Sequence, residues 1–337
     1  MGRIAQTLIP PSQRQSVAEL TDAVDLDRGE VVRKRTGFLI MLVLAALVAV
    51  AGVLTDSTAT VIGAMIIAPL ATPIQGIGLG LVIGSRSIVG RSIVWVVLGT
   101  VIVVLLGAAF AAFIGDAGRL ADNSQISGRT SPNLMDLVAA LATGIAGAFA
   151  MCRRDLSAVL PGVAIAISLV PPLAVVGVCA GVGEWGQAFG AFMLFLSNVF
   201  ALVIAGAFVY TAAGYARDPS SSPTANRRRA YAVVAVLAVL VAVPLAANTL
   251  VAFALAQWGL AVRAEAQDWL AGSPDASVGD VTWQGLTAEV GVLSASGDLP
   301  PASELAEGLA GRVPEFVDVV VDLEIGAQLP VPRTAGE

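Results

Sequence analysis

The chain alternates long apolar blocks with short polar ones. Seven blocks stand out, at 37–54, 58–83, 88–114, 134–151, 157–182, 187–213 and 230–257. Each is long enough for a helix rising ~1.5 Å per residue to cross, or nearly cross, a hydrocarbon core ~30 Å thick. The pattern predicts seven membrane-spanning helices, with the lipid bilayer as the first partner. Beyond residue 263 the rhythm changes. A helical stretch (Ala264 to Ala271) precedes strand-like segments at 277–283 and 287–295. A helix opened by Pro300 and Pro301 then runs to about Arg312, and an alternating run follows at 317–325. That αββαβ order is enough for a small sheet with helices on one face. The expected fold class is an all-α polytopic membrane bundle carrying a small α+β domain at its carboxy-terminal end.

Composition agrees, with 56% hydrophobic and 13% charged residues, against roughly 25% charged in an average soluble domain. Residues 1–36 are polar and contain no apolar signal-peptide core, so the first block is expected to start insertion itself. Ser16 to Val24 has the pattern of a short surface helix. Basic residues then set the orientation. Arg33 to Arg35 precede the first span, Arg86 and Arg91 are read between the second and third, Arg153 and Arg154 between the fourth and fifth, and Arg227 to Arg229 before the seventh. All fall on one side, and short cytoplasmic loops are enriched in Lys and Arg. The expected order is a cytoplasmic segment (1–36), three spans (37–114), three more (134–213), a basic cytoplasmic loop (214–229), a seventh span (230–257) and an extracytoplasmic domain (263–337). The last carries thirteen Asp or Glu against three Arg, an acidic, solvated composition. The expected location is the plasma membrane, multi-pass.

Sliding the chain on itself by 99 residues lays the first three spans on the next three without a gap. Asp56 falls on Asp155, Gly63 on Gly162, Pro73 on Pro172, Gly78 on Gly177, Gly84 on Gly183 and Gly107 on Gly206. Three is an odd number, so two such units run through the bilayer in opposite senses. That is the inverted 3+3 repeat of many transporters, here with one span added.

Candidate chemistry gathers in the second and fifth spans. Pro69 and Pro73 lie near the middle of one, Pro171 and Pro172 at the corresponding depth of the other. Proline lacks an amide hydrogen and collides with the preceding turn. Each therefore breaks its helix and frees the carbonyl four residues back, at Met65, Pro69, Ile167 and Ser168. In hydrocarbon such groups need protein, water or a solute as partner. Thr72, Gln75 and Ser168 add side-chain oxygens near the breaks, and Asn198 adds an amide in the sixth span. These residues form the expected pathway for a substrate or ion; ordinary proline kinks and interhelical hydrogen bonds are the plainer alternative. Asp56 and Asp155 each precede a span, where an Asp caps free helix amides; a gating or proton-relay role is the alternative. Gly76, Gly80 and Gly84, like Gly177 and Gly181, recur at the spacing that lets helix backbones approach closely.

Histidine is absent and the two cysteines, Cys152 and Cys179, lack metal or redox spacing. No GxSxG, HExxH or phosphate-loop run occurs, so neither an enzyme, a metal site nor a cofactor is expected. The basic clusters are explained by topology and do not point to nucleic acid. The runs VIGAMIIAPLATPIQGIGLGL (Val61 to Leu81) and LPGVAIAISLVPPLAVVG (Leu160 to Gly177) resemble the hydrophobic bacterial and archaeal proteins grouped as domain-of-unknown-function family 389. That resemblance implies a polytopic membrane protein. The functional expectation is transport of a small solute or ion between the two repeats, with a channel as the nearest variant. A non-transporting scaffold or sensor, its outer domain binding a partner, is the alternative of a different class. A homo-oligomer is expected in either case.

Overall fold

The computed structural model describes residues 9–114, 123–130, 134–156, 169–217, 227–284, 287–314 and 316–326. They form two units, Met1–Ala246 and Ala247–Glu337.

The first unit is helical: α1 (Val17–Val24), α2 (Val31–Leu54), α3 (Thr58–Ile67), α4 (Ala71–Ile83), α5 (Arg86–Ile114), α6 (Ser124–Thr130), α7 (Leu134–Cys152), α8 (Val170–Gly181), α9 (Trp185–Ala212) and the start of α10 (Arg227–Trp269). Among the described residues, α2, α5, α7 and α9 are each long and apolar enough to cross a membrane. The pair α3 and α4, bent by 49°, makes a fifth if it counts as one span. The chain is a membrane protein by this measure. The first half of the expected fifth span, with Ile167 and Ser168, lies outside the described residues.

Large apolar side chains cover the outside of this unit, among them Ile40, Leu44, Ile66, Val97, Leu105 and Phe208. Its interior is closed by Ala, Gly, Val and Leu. Apolar character on both sides of a helix is what a hydrocarbon solvent permits, because burial and lipid contact reward the same side chains. α1 differs, since it is amphipathic and opens on a capping box. Ser16 Oγ accepts from the Glu19 amide, and Glu19 Oε2 accepts from the Ser16 amide. The helix does not lie free on the surface, as its sequence suggested, for Leu20 and Val24 are fully buried in the main core.

In the second unit the last turns of α10 pack on a three-stranded sheet, β1 (Ala276–Gln284), β2 (Thr287–Ser294) and β3 (Asp318–Ile325), with α11 (Ala302–Leu309) joining β2 to β3. Strand order is β1-β2-β3. The first pair is antiparallel, with a bulge between Val278 and Val281, and the second is parallel. β2 alternates buried and half-buried positions, placing Val290 and Val292 against Val262, Trp269, Leu305 and Leu309. The αββαβ order matches the pattern read from sequence. Its first helix is a continuation, however, because α10 runs unbroken from Arg227 through Trp269.

Candidate functional site

Ala68 ends α3 in an extended conformation (ψ 124°), as expected of a residue whose neighbour is Pro69. Pro73 then falls in the first turn of α4, and Pro171 and Pro172 fall in the first turn of α8. The amides that proline lacks have no helical partner there. Pro69 and Pro73 therefore mark a break where a new half-helix starts, and Pro171 and Pro172 sit in the first turn of α8, the stretch before which lies outside the described residues. The Pro69 carbonyl, expected to be free, accepts from the Thr72 amide at 3.2 Å.

Gln75 lies one turn into α4 and is fully buried. Its Oε1 accepts from the Tyr210 hydroxyl of α9 at 2.9 Å, and that hydroxyl is 3.7 Å from Met151 Sδ. Gln75 Nε2 is buried with no partner among the described residues. Two further polar groups of α9, Ser197 and Asn198, are buried as well, with Ser197 donating to the Leu194 carbonyl at 2.8 Å.

Two close helix contacts frame this region. A Cβ on Gly78 of α4 would stand 3.2 Å from the Val203 carbonyl oxygen and 3.3 Å from the Ala207 nitrogen of α9, beside Gly206. A Cβ on Gly177 of α8 would collide with the Val104 carbonyl of α5 and stand 2.9 Å from Gly107 Cα and 3.0 Å from the Ala108 nitrogen. The second contact is the first with 99 added to Gly78 and 99 subtracted from its partners. Gly84 and Gly183, equivalent by the same offset, both have positive φ just past α4 and α8.

A cleft of ≈ 700 Å³ runs from Asp22, Glu30 and Lys34 along Phe38 and Met41 to Pro69 and Thr72. It reaches the α3–α4 break, with Met65 half-buried nearby. Gln75, Pro171 and Pro172 are not among its walls.

Both ends of the bundle carry polar networks that sequence alone did not assign. At the basic end, residues 9–28 form a strap. Asp25, buried, pairs with Arg91 of α5 at 2.5 Å, and Asp27 accepts from Trp95 Nε1 at 3.0 Å. Glu19 pairs with Arg154 at 2.9 Å, the Gln15 carbonyl accepts from the Tyr215 hydroxyl at 2.8 Å, and the Val24 carbonyl abuts Gly76. The Ser16 amide and then the Arg154 guanidinium hold the Glu19 carboxyl down to about 2. At the opposite end the N-cap of α3 is Ser57, whose Oγ accepts from the Thr60 amide. Asp56 instead turns to α6, accepting from the Ser124 hydroxyl (2.7 Å) and the Gln125 amide (3.1 Å), and its pKa is lowered chiefly by the former. Asn123 Nδ2 donates to the Val53 carbonyl at 2.7 Å. Asp155 belongs to the basic end, where Arg153 clasps it at 2.6 Å and lowers its pKa; the helix start it was expected to cap lies outside the described residues. Among the described residues no three His, Cys, Asp or Glu side chains gather as a metal site would need.

The family model for a domain of unknown function, DUF389, matches residues 65–204. This stretch of the chain belongs to the DUF389 family. The DUF389 region thus takes in the helix break, Gln75, the Gly107–Gly177 contact and most of α9. An uncharacterized protein of Methanocaldococcus jannaschii is 33% identical over 176 residues, 52% of this chain and 54% of its own. The chain spans about half the length of that curated relative. No solved structure matches.

Proposed function

We propose that this chain is a transport protein of the plasma membrane, moving a small solute or ion between two inverted three-helix repeats. One observation carries the reading, namely that the cleft leads from the charged end of the bundle to the break between α3 and α4. Broken helices near mid-membrane are where transporters of repeat architecture place their sites. The paired contacts Gly78–Gly206 and Gly177–Gly107 support the repeat, since each joins the second helix of one unit to the third helix of the other. In this reading α3–α4 and the stretch ending in α8 are equivalent broken spans, and α10 is the seventh span. The basic end with the amino terminus faces the cytoplasm, and the sheet domain lies outside.

The buried Gln75–Tyr210 pair is not part of the cleft wall and lies between the break and the basic end, where α4 packs dry against α9. Movement of α4 against α9 would open that interface, and the amide Nε2 would meet the solute. The same dry interface favours the second reading, a scaffold that passes nothing. Proteoliposomes followed by light scattering after a jump in potassium chloride, glycerol or glycine separate the two. Flux above that of empty liposomes for one of these probes, reduced by Gln75→Ala, is the expected result. Traces equal to those of empty liposomes for all three favour the scaffold, and flux unchanged by Gln75→Ala removes Gln75 from the path.

A further inference from the structure

We infer that the cleft along α2 is a binding site for one zwitterionic membrane phospholipid, its headgroup on Arg33 and Glu30 and an acyl chain reaching Pro69. Depth is the first reason. From Arg33 to Met41 α2 rises ~12 Å at ~1.5 Å per residue, so the cleft extends from a charged rim well into the apolar part of the span. Its opening is the second. Gly37 and Met41 are exposed on the same surface as Ile40 and Leu44, and a Cβ at Gly37 would meet nothing within 4 Å. The cleft is therefore open sideways at hydrocarbon depth, where an acyl chain is the available solvent.

Charge selects the headgroup. Lys34 is engaged, since its ammonium donates to the Asp22 carbonyl at 2.5 Å, to Asp22 Oδ1 at 2.8 Å and to the Arg28 carbonyl at 2.8 Å. Among the described residues the side chains of Arg33 and Glu30 pair with each other alone, at 2.8 Å, and are 83% and 69% exposed. Such a pair is worth little in water and exchanges readily. A planar guanidinium takes a phosphate in bidentate fashion, and the freed carboxylate takes an ammonium. An anionic lipid would leave Glu30 facing like charge. The volume, ≈ 700 Å³, lies within the ~300–1,000 Å³ usual for binding clefts.

This inference stands whether or not a solute crosses the bundle, because it concerns what the cleft holds. The test is native mass spectrometry of the full chain, stripped of lipid in detergent and then offered phosphatidylethanolamine or phosphatidylglycerol. The wild type is expected to keep one phosphatidylethanolamine per chain in preference to phosphatidylglycerol. Gly37→Phe, which adds a ring to the cleft wall at a position whose Cβ meets nothing within 4 Å, should lose it about tenfold, a change of ~1.4 kcal/mol. Val97→Phe, on the lipid-facing side of α5 and away from the cleft, should match the wild type. Arg33→Ala should lower retention about fivefold, the upper range for an exposed ion pair. Unfolding temperatures near that of the wild type establish that each variant is folded. Equal retention by Gly37→Phe and wild type, or no headgroup preference in the wild type, would overturn the site and leave only annular lipid.

Discussion

Gln75 and Tyr210 set a demanding polar requirement in the bundle, because both are fully buried and the Tyr210 hydroxyl donates to Gln75 Oε1. Tyr210→Phe leaves Gln75 Oε1 without its donor, so about 1 kcal/mol of stability should be lost. Thermal unfolding in detergent measures it. Adding Gln75→Leu should cost less than the sum of the single changes, since the two act as one unit. Gln75 was legible from the sequence as a large amide in an apolar run. Tyr210 was not, because the contact spans 135 positions and nothing in the pattern of α9 marks that tyrosine. The prolines marked the break between α3 and α4. The carbonyl expected to be freed at Pro69 was misjudged, because the Thr72 amide bonds it and only the backbone shows that turn. Glycines are graded by what surrounds them. Gly177→Ala forces a methyl into the α5 backbone and should cost about 1–3 kcal/mol. Gly63→Ala, with nothing within 4 Å, should be neutral or stabilise by up to about 1 kcal/mol. The same unfolding assay ranks the two, and equal effects would contradict the packing described.

At the scale of elements, apolar runs and turn residues were sufficient to place α2, α5, α7 and α9, and alternation placed the three strands. Docking was not legible, because ion pairs such as Asp25–Arg91 and Glu19–Arg154 join residues 66 and 135 positions apart and each partner reads as an ordinary surface charge. The strap is the main consequence. Arg91→Ala strands the buried Asp25 carboxylate, and about 1–3 kcal/mol of docking should go with it. That lies below the usual cost of breaking a fully buried pair because Arg91 is itself 41% exposed. Hydrogen exchange of residues 13–28 should rise in that variant and little elsewhere. Acid acts on the same element through Glu19. Its carboxyl, held at about 2 when docked against an ordinary 4.5, contributes fully above pH 4.5 and loses that contribution as pH falls toward 2. Exchange in the strap should therefore quicken between those values in wild type. In Glu19→Gln the acid-induced change should be smaller over the same interval.

For the whole molecule the decisive property is the sense in which the two three-helix units cross the bilayer. The repeat is visible in sequence as an offset of 99, and the same offset relates the two glycine contacts. Both facts constrain which helices pack together, and neither fixes which side of a membrane each loop meets. Sidedness is measurable at Ser87 and Gly186, which are exposed, near the start of α5 and α9, and 99 apart. In an inverted pair these equivalent positions lie on opposite faces; in a parallel pair they share one. The native thiols, Cys152 and Cys179, are buried and leave little background. With Ser87→Cys, a membrane-impermeant maleimide should label only after the membrane is opened, because Arg86 and Arg91 hold that loop on the cytoplasmic side. With Gly186→Cys it should label intact cells. Labelling of both from the same side would break the inversion, and the cleft would then lead to a helix break with no counterpart across the membrane. A path by alternating access would no longer follow from the geometry, whereas lipid in the cleft of α2 would be unaffected, because that site is lined by residues between Asp22 and Thr72 and by none of the second repeat.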